Sequence, residues 1–268
     1  MVALVALLAC SDKSIALGQG VAPDARFIAD MYTWDCSSAS AEGGPEVHWE
    51  GVHSYRLSLE YAPDTLVDRS VPESGCAKGV DLFPIDAGAA AVDLEGDPTW
   101  SNGDFDGRLT QSATGLWTAS AFTNQNSCMT AEELLGEGTL LGGADPFSGA
   151  RTPAPGVYDD VSVSDFDERA GLPFGADVTV TWDAEGWDSS WVQVRRERGG
   201  ALLESVTCAT TGANALTIGA DVWDQFNGAV EADVNNLYVG VERRKLTEAE
   251  DGQKIELVTR AMHIAVLQ

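Results

Sequence analysis

The sequence predicts a mostly β fold arranged as two β domains. Three observations carry that expectation. Alternating apolar and polar residues recur in short runs, as where Tyr55, Leu57, Leu59 and Tyr61 alternate with Arg56, Ser58 and Glu60. A period of two places one set of side chains on a buried face of a strand. Turn-forming stretches rich in Gly, Pro and Asp separate the runs, among them Gly43-Gly44-Pro45, Pro72-Glu73-Ser74-Gly75 and the span 93–107. No long amphipathic helix pattern occurs. The one helix signal is the capping box Thr130-Ala131-Glu132-Glu133, stopped by Gly136.

The chain opens on Met1 to Cys10, with an apolar run ending Leu7-Leu8-Ala9-Cys10. That run is far shorter than the roughly 20 apolar residues a bilayer span needs. Its length suits the apolar core of a secretion signal, with small residues at the cut. The last four residues resemble a bacterial lipobox. The resemblance implies a signal peptide over 1–9, cleavage before Cys10 and acylation of the Cys10 thiol. It further implies a lipoprotein of the cell envelope, and Ser11 after the Cys resembles an outer-membrane sorting signal. No Lys or Arg precedes the run, which departs from the basic start of most leaders. Residues 10–24 read as the lipidated Cys and a flexible tether, with Gly18, Gly20 and Pro23 in it. About 13 such residues span roughly 20 Å on average.

The region 25–150 reads as an acidic, β-rich domain. Leu116 to Phe122 is a second strand, with Thr118 and Ser120 in alternation with Trp117, Ala119 and Ala121. The Pro- and Gly-rich stretch Asp145 to Gly156 is the best candidate boundary, placed at 150/151. Seven strand-like runs follow: 157–163, 176–182, 190–197, 201–208, 215–218, 236–243 and 254–266. Arg198-Gly199-Gly200 is a hairpin turn between the third and fourth, and Ala220 to Phe226 forms a helical turn. Seven short strands in about 110 residues resemble an immunoglobulin- or fibronectin type III-like sandwich. The series Val180-Thr181-Trp182, Trp191-Val192-Gln193-Val194, Val206-Thr207-Cys208 and Leu216-Thr217-Ile218 is loosely similar to uncharacterised exported lipoproteins of myxobacteria-like organisms. That resemblance implies a class and no mechanism.

Charge excludes several functions. Lys+Arg number 16 against 42 Asp+Glu, a formal net charge of -26. Binding to nucleic acid or to anionic lipid needs cationic surface, so neither is expected. Attachment to membrane is expected through the acyl anchor alone. Apart from Cys10, the cysteines are Cys36, Cys76, Cys128 and Cys208. An even number in an exported chain predicts two disulfides, with three pairings open. If all four pair, one bridge joins the two halves of the chain.

Three sites are candidates for ligands. Asn102-Gly103-Asp104-Phe105-Asp106-Gly107 resembles the first half of a calcium loop, with Asn102, Asp104 and Asp106 as ligands. Ala113 stands where an EF-hand loop has its bidentate Glu, and the competing reading is an Asx-turn hairpin. Glu46, His48 and Glu50 share one face of a strand and could hold a transition metal, with His53 of opposite parity. Trp187 and Trp191 could stack on a glycan, because Val192 and Val194 take the inward face and leave Trp191, Gln193 and Arg195 outward. His263 reads as structural.

Catalytic signatures are missing: no G-x-S-x-G, H-E-x-x-H, Walker or dinucleotide motif occurs. The expectation is therefore a non-enzymatic, lipid-anchored envelope protein with a display, contact or scaffolding role, no resident cofactor, and a protein or glycan partner that the sequence does not name. The alternatives are a module binding calcium or glycan, and a hydrolase using a carboxylate pair.

Overall fold

The computed structural model describes residues 23–38, 47–63, 66, 71–79, 91–94, 96–101, 106–122, 139–141, 150–151, 162–163, 177–198, 201–210, 212–224, 226, 235–249 and 252–267. Sixteen strands and one short helix are described. In chain order they are β1 (Ala25–Ser38), β2 (Val47–Tyr61), β3 (Cys76–Lys78), β4 (Thr99–Ser101), β5 (Asp106–Arg108), β6 (Thr110–Ala113), β7 (Leu116–Phe122), β8 (Thr139–Leu141), β9 (Ala150–Arg151), β10 (Ser162–Val163), β11 (Val178–Thr181), β12 (Ser189–Arg198), β13 (Ala201–Ala209), β14 (Ala215–Ile218), α1 (Ala220–Trp223), β15 (Asn235–Glu248) and β16 (Lys254–Leu267). The protein is mostly β, as the alternation predicted. Its strands form three sheets of nine, three and four strands.

The large sheet has the order β3-β13-β12-β15-β16-β1-β2-β7-β6. Its central pair, β1 and β16, is parallel, with Ala25 opposite Ile255 and Thr33 opposite His263. The other strand pairs of this sheet are antiparallel. This topology corrects the expected domain plan. Strands from 25–150 and from 151–268 sit in one sheet, so the boundary at 150/151 does not divide the architecture. The physical reason lies in β1. Its apolar set Ala25, Phe27 and Ala29 finds Ile255 and Leu257 beside it, and the first and last strands of the fold bury one surface together.

The nine-stranded sheet has two unlike faces. One is apolar and sandwich-like in its packing. Phe27, Leu57, Leu59, Trp117, Val192, Val194, Val206, Val239, Val241 and Leu257 lie in a core shared with residues of the smaller sheets. Those are Trp100 of β4, Val178 and Val180 of β11, Ile218 of β14 and, from α1, Val222 and Trp223. Phe27 stacks on Trp100 with ring centroids 5.0 Å apart. Each fully buried Leu, Val or Phe contributes roughly 1.5–3 kcal/mol relative to exposure. Gly115 closes the β6–β7 turn at φ +66, a left-handed conformation that favours glycine.

One glycine in the sheet interior reports how closely two strands pack. A Cβ on Gly240 of β15 would lie 1.8 Å from the Ala261 carbonyl oxygen of β16. Backbone cannot yield as a flexible side chain can. Gly240→Ala is expected to destabilise the fold by about 1–3 kcal/mol, read as a lowered urea midpoint with an unchanged m-value.

Candidate functional site

The second face of the large sheet is where charge collects. Along β1 the residues alternating with the apolar set are Arg26, Ile28 and Asp30; along β16 they are Glu256, Val258 and Arg260. β2 adds Ser58 and Glu60, and β15 adds Glu242 and Arg244. In an ordinary antiparallel sheet such a face is solvated. Here it is covered: Glu60, Glu242, Arg244 and Arg260 are each 0% exposed.

The charges form one alternating chain. Arg26 Nη1 donates to Glu60 Oε2 at 3.1 Å, and Arg26 Nε donates to Glu256. Arg244 Nη1 reaches Glu256 Oε1 at 3.5 Å and its Nε donates to Glu242 Oε1 at 2.6 Å. Arg260 Nε donates to Glu242 Oε2 at 2.7 Å and its Nη1 to Asp30 Oδ1 at 2.8 Å. Read in order, the ladder runs Glu60, Arg26, Glu256, Arg244, Glu242, Arg260, Asp30. One end, Glu60, is on β2, the other, Asp30, is on β1, and the turn of the horseshoe is on β15.

Geometry sets the protonation of this ladder. Burial pushes the Glu242 carboxyl up, but the Arg244 and Arg260 guanidiniums beside it outweigh that and hold it at about 2. Burial works against the charge of Arg260, yet Asp30 and Glu242 raise its pKa above the usual arginine value. Arg244 is raised in the same way, against burial, by Glu242 and Glu256. Glu242 is thus ionised at every physiological pH. A general acid needs a raised carboxyl, so the centre of the ladder is unsuited to the hydrolase chemistry considered above.

The arrangement can instead fix register. Arg26 sits opposite Glu256 and Asp30 sits opposite Arg260 across the parallel pair. A slip of two residues would set Arg26 against Val258 and Asp30 against Met262, leaving buried charges unpaired. Leaving a buried charge without its partner costs about 3–5 kcal/mol. Among buried polar atoms, Asp30 Oδ2, Ser58 Oγ and Arg244 Nη2 have no partner among the described residues.

The ladder continues into an aromatic contact. The Arg244 guanidinium lies over the Trp191 ring, 4.7 Å from its centroid. The Trp191 indole N–H donates to the Pro72 carbonyl at 3.2 Å. Trp191, Gln193 and Arg195 share a face as the sequence predicted, and Val192 and Val194 take the other. The expected exposure of that face is corrected: Trp191 is 7% exposed, Gln193 1% and Arg195 2%. With Arg244 on its ring, Trp191 has no open face for a sugar. Trp187 is half-buried and packs against the apolar core. Nearby, Asp183 accepts from the Glu185 backbone, and Asp188 accepts from the Leu246 backbone.

The remaining sequence candidates are placed as follows. Cys76 and Cys208 form a disulfide and face each other across β3 and β13. This is the bridge between the two halves of the chain. Cys36 lies on β1, where only its backbone is described, and Cys10 and Cys128 fall outside the described residues. Asn102 and Asp104 also fall outside them. Asp106 begins β5, which pairs antiparallel with β4, and stands opposite Ser101. Glu46 lies outside the described residues, and of His48 and Glu50 the backbone alone is described, opposite Ser37 and Asp35. The pairing slips between Tyr32 and Thr33, and His53 is the extra residue on β2. No group of three or more His, Cys, Asp or Glu suited to a metal occurs among the described residues.

No protein-family model matches the chain, and no curated protein matches it. The solved structures distantly similar to the chain include two of low identity. One is a DUF3823 family protein from Bacteroides ovatus, 14% identical, with a TM-score of 0.22 over 68% of this chain and 97% of that one. The other is a tetra-tandem repeat in the extending region of a large adhesion protein, 11% identical, with a TM-score of 0.19 over 89% of this chain and 74% of that one. Neither likeness is close enough to carry an inference. The class defined by the structure itself is a mostly β, sandwich-like protein with a charged and buried outer face.

Proposed function

We propose that the chain is a lipid-anchored protein of the cell envelope, outer-membrane by its sorting residue, whose β domain has a non-catalytic display, contact or scaffolding role. The observation that carries this reading is the Cys76–Cys208 disulfide. Such bridges persist outside the reducing cytosol. The lipobox-like Leu7-Leu8-Ala9-Cys10 supports the anchor, and the strongly acidic composition favours a self-repelling surface. The chain enters the sheet at Asp24, whose carboxylate accepts from the Lys254 backbone at 2.9 Å. Residues between Cys10 and that point would give the domain a reach of roughly 20 Å from the bilayer. One acyl chain holds marginally, whereas two or more hold stably.

The test is metabolic labelling with a radioactive fatty acid in a bacterial host, for the full chain behind a functional leader and for Cys10→Ala. Label in the membrane fraction that the substitution abolishes is expected. Equal labelling of both, or none in either, would contradict the anchor.

A further inference from the structure

We propose that residues Val71–Gly79 form a strap over one end of the polar face, and that the redox state of Cys76–Cys208 decides whether it is held. The strap lies at an edge of the nine-stranded sheet. β3 has three residues and pairs with β13 alone among the described strands. Pro72 sits over Trp191, whose indole N–H it accepts. The Gly75 carbonyl accepts from Ala209 N at 2.8 Å, and Gly79 N donates to the Ser205 carbonyl at 2.8 Å. Lys78 and Glu204 add a partly exposed ion pair at 3.3 Å. Glu73, Ser74 and Gly75 are exposed. Little apolar surface therefore holds this segment, and the covalent bridge is its strongest tie.

The bridge is asymmetric in access. Cys208 is 1% exposed, whereas Cys76 is half-buried on the edge strand. A dithiol reductant would attack at Cys76. Its thiolate forms a mixed disulfide with the Cys76 sulfur, the Cys76–Cys208 bond breaks, and Cys208 leaves as a thiolate that takes up a proton. The second thiol of the reductant then displaces Cys76 and closes the reductant's own disulfide. Two electrons pass to the protein. The released strap uncovers Trp191 and, behind it, Arg244 in the middle of the ion ladder. The central strands keep their pairing, because none of them depends on β3.

Hydrogen exchange read by mass spectrometry on the intact chain tests this, with the oxidised protein, the protein treated with dithiothreitol, and a C76S/C208S variant. Amides of 75–79 and 205–209 are expected to exchange at least about tenfold faster once the bridge is gone and to become the fastest of the large sheet, while those of 25–30 and 255–262, although sped by the lower global stability, remain its slowest. Should the variant fail to fold, the dithiothreitol arm decides alone. Unchanged exchange in the strap, equal loss of protection in every strand, or a bridge that dithiothreitol does not cut in the folded protein would each overturn the proposal.

Discussion

Glu242→Leu is expected to lower the stability of the fold by about 3–5 kcal/mol. Glu242 is fully buried and receives short hydrogen bonds from both Arg244 and Arg260. A leucine fills similar space but leaves both guanidiniums short of a carboxylate in a face without solvent. Most of the loss is the cost of those two charges, not the intrinsic worth of the ion pairs. Glu248 on the same strand is exposed, and Glu248→Gln should stay within about 0.5 kcal/mol of the parent. Urea melts of the two variants measure the contrast.

The same residue sets a pH dependence. Its folded pKa of about 2 lies below the ordinary 4.5, so ionisation favours the native state. That contribution is complete above pH 4.5, shrinks as the pH falls, and is gone below about 2. The depression corresponds to about 3 kcal/mol. The parent protein should therefore lose more stability than Glu242→Leu between pH 4.5 and 2, by about that amount.

The second large effect is expected from the disulfide. Cys76 and Cys208 are 132 residues apart in sequence, so the bridge closes a long loop in the unfolded chain. The chain-entropy estimate for loops of this size, tempered by typical measurements, gives about 3–5 kcal/mol. Cys76→Ala with Cys208→Ala should lower the melting temperature by roughly 10 °C. Calorimetry under non-reducing conditions checks it. An unchanged melting temperature would mean that the bridge closes little chain entropy.

Much of the secondary structure was legible in the sequence. Leu116–Phe122 and Ala215–Ile218 are strands with the expected bounds, and the runs predicted at 190–197 and 201–208 became Ser189–Arg198 and Ala201–Ala209. Period-two alternation reports local burial, and those strands follow it. Order within a sheet is a different matter. Nothing local in Phe27 and Leu257 says that they will be neighbours, because the parallel pairing of β1 and β16 depends on surfaces far apart in sequence. The domain boundary was drawn where composition changes, but the sheet is drawn by complementary faces.

The ion ladder was missed for a related reason. Arg26 and Asp30, Glu242 and Arg244, and Glu256 and Arg260 all stand at even spacings, opposite to apolar residues of their strands. Charges on the alternate face of a strand ordinarily meet water, and that was the natural reading. The available signal was the repeated mixture of both signs at one parity in β1, β15 and β16. In a chain with 16 Lys+Arg against 42 Asp+Glu, three arginines placed this way point to paired positions.

Peptide mapping of the protein isolated from its native cells, with thiols blocked before lysis, tests the central claim most directly. The account predicts a linked peptide pair containing Cys76 and Cys208. Recovery of both residues as blocked free thiols would contradict it, removing both the bridge between the two halves of the chain and the main support for an exported protein.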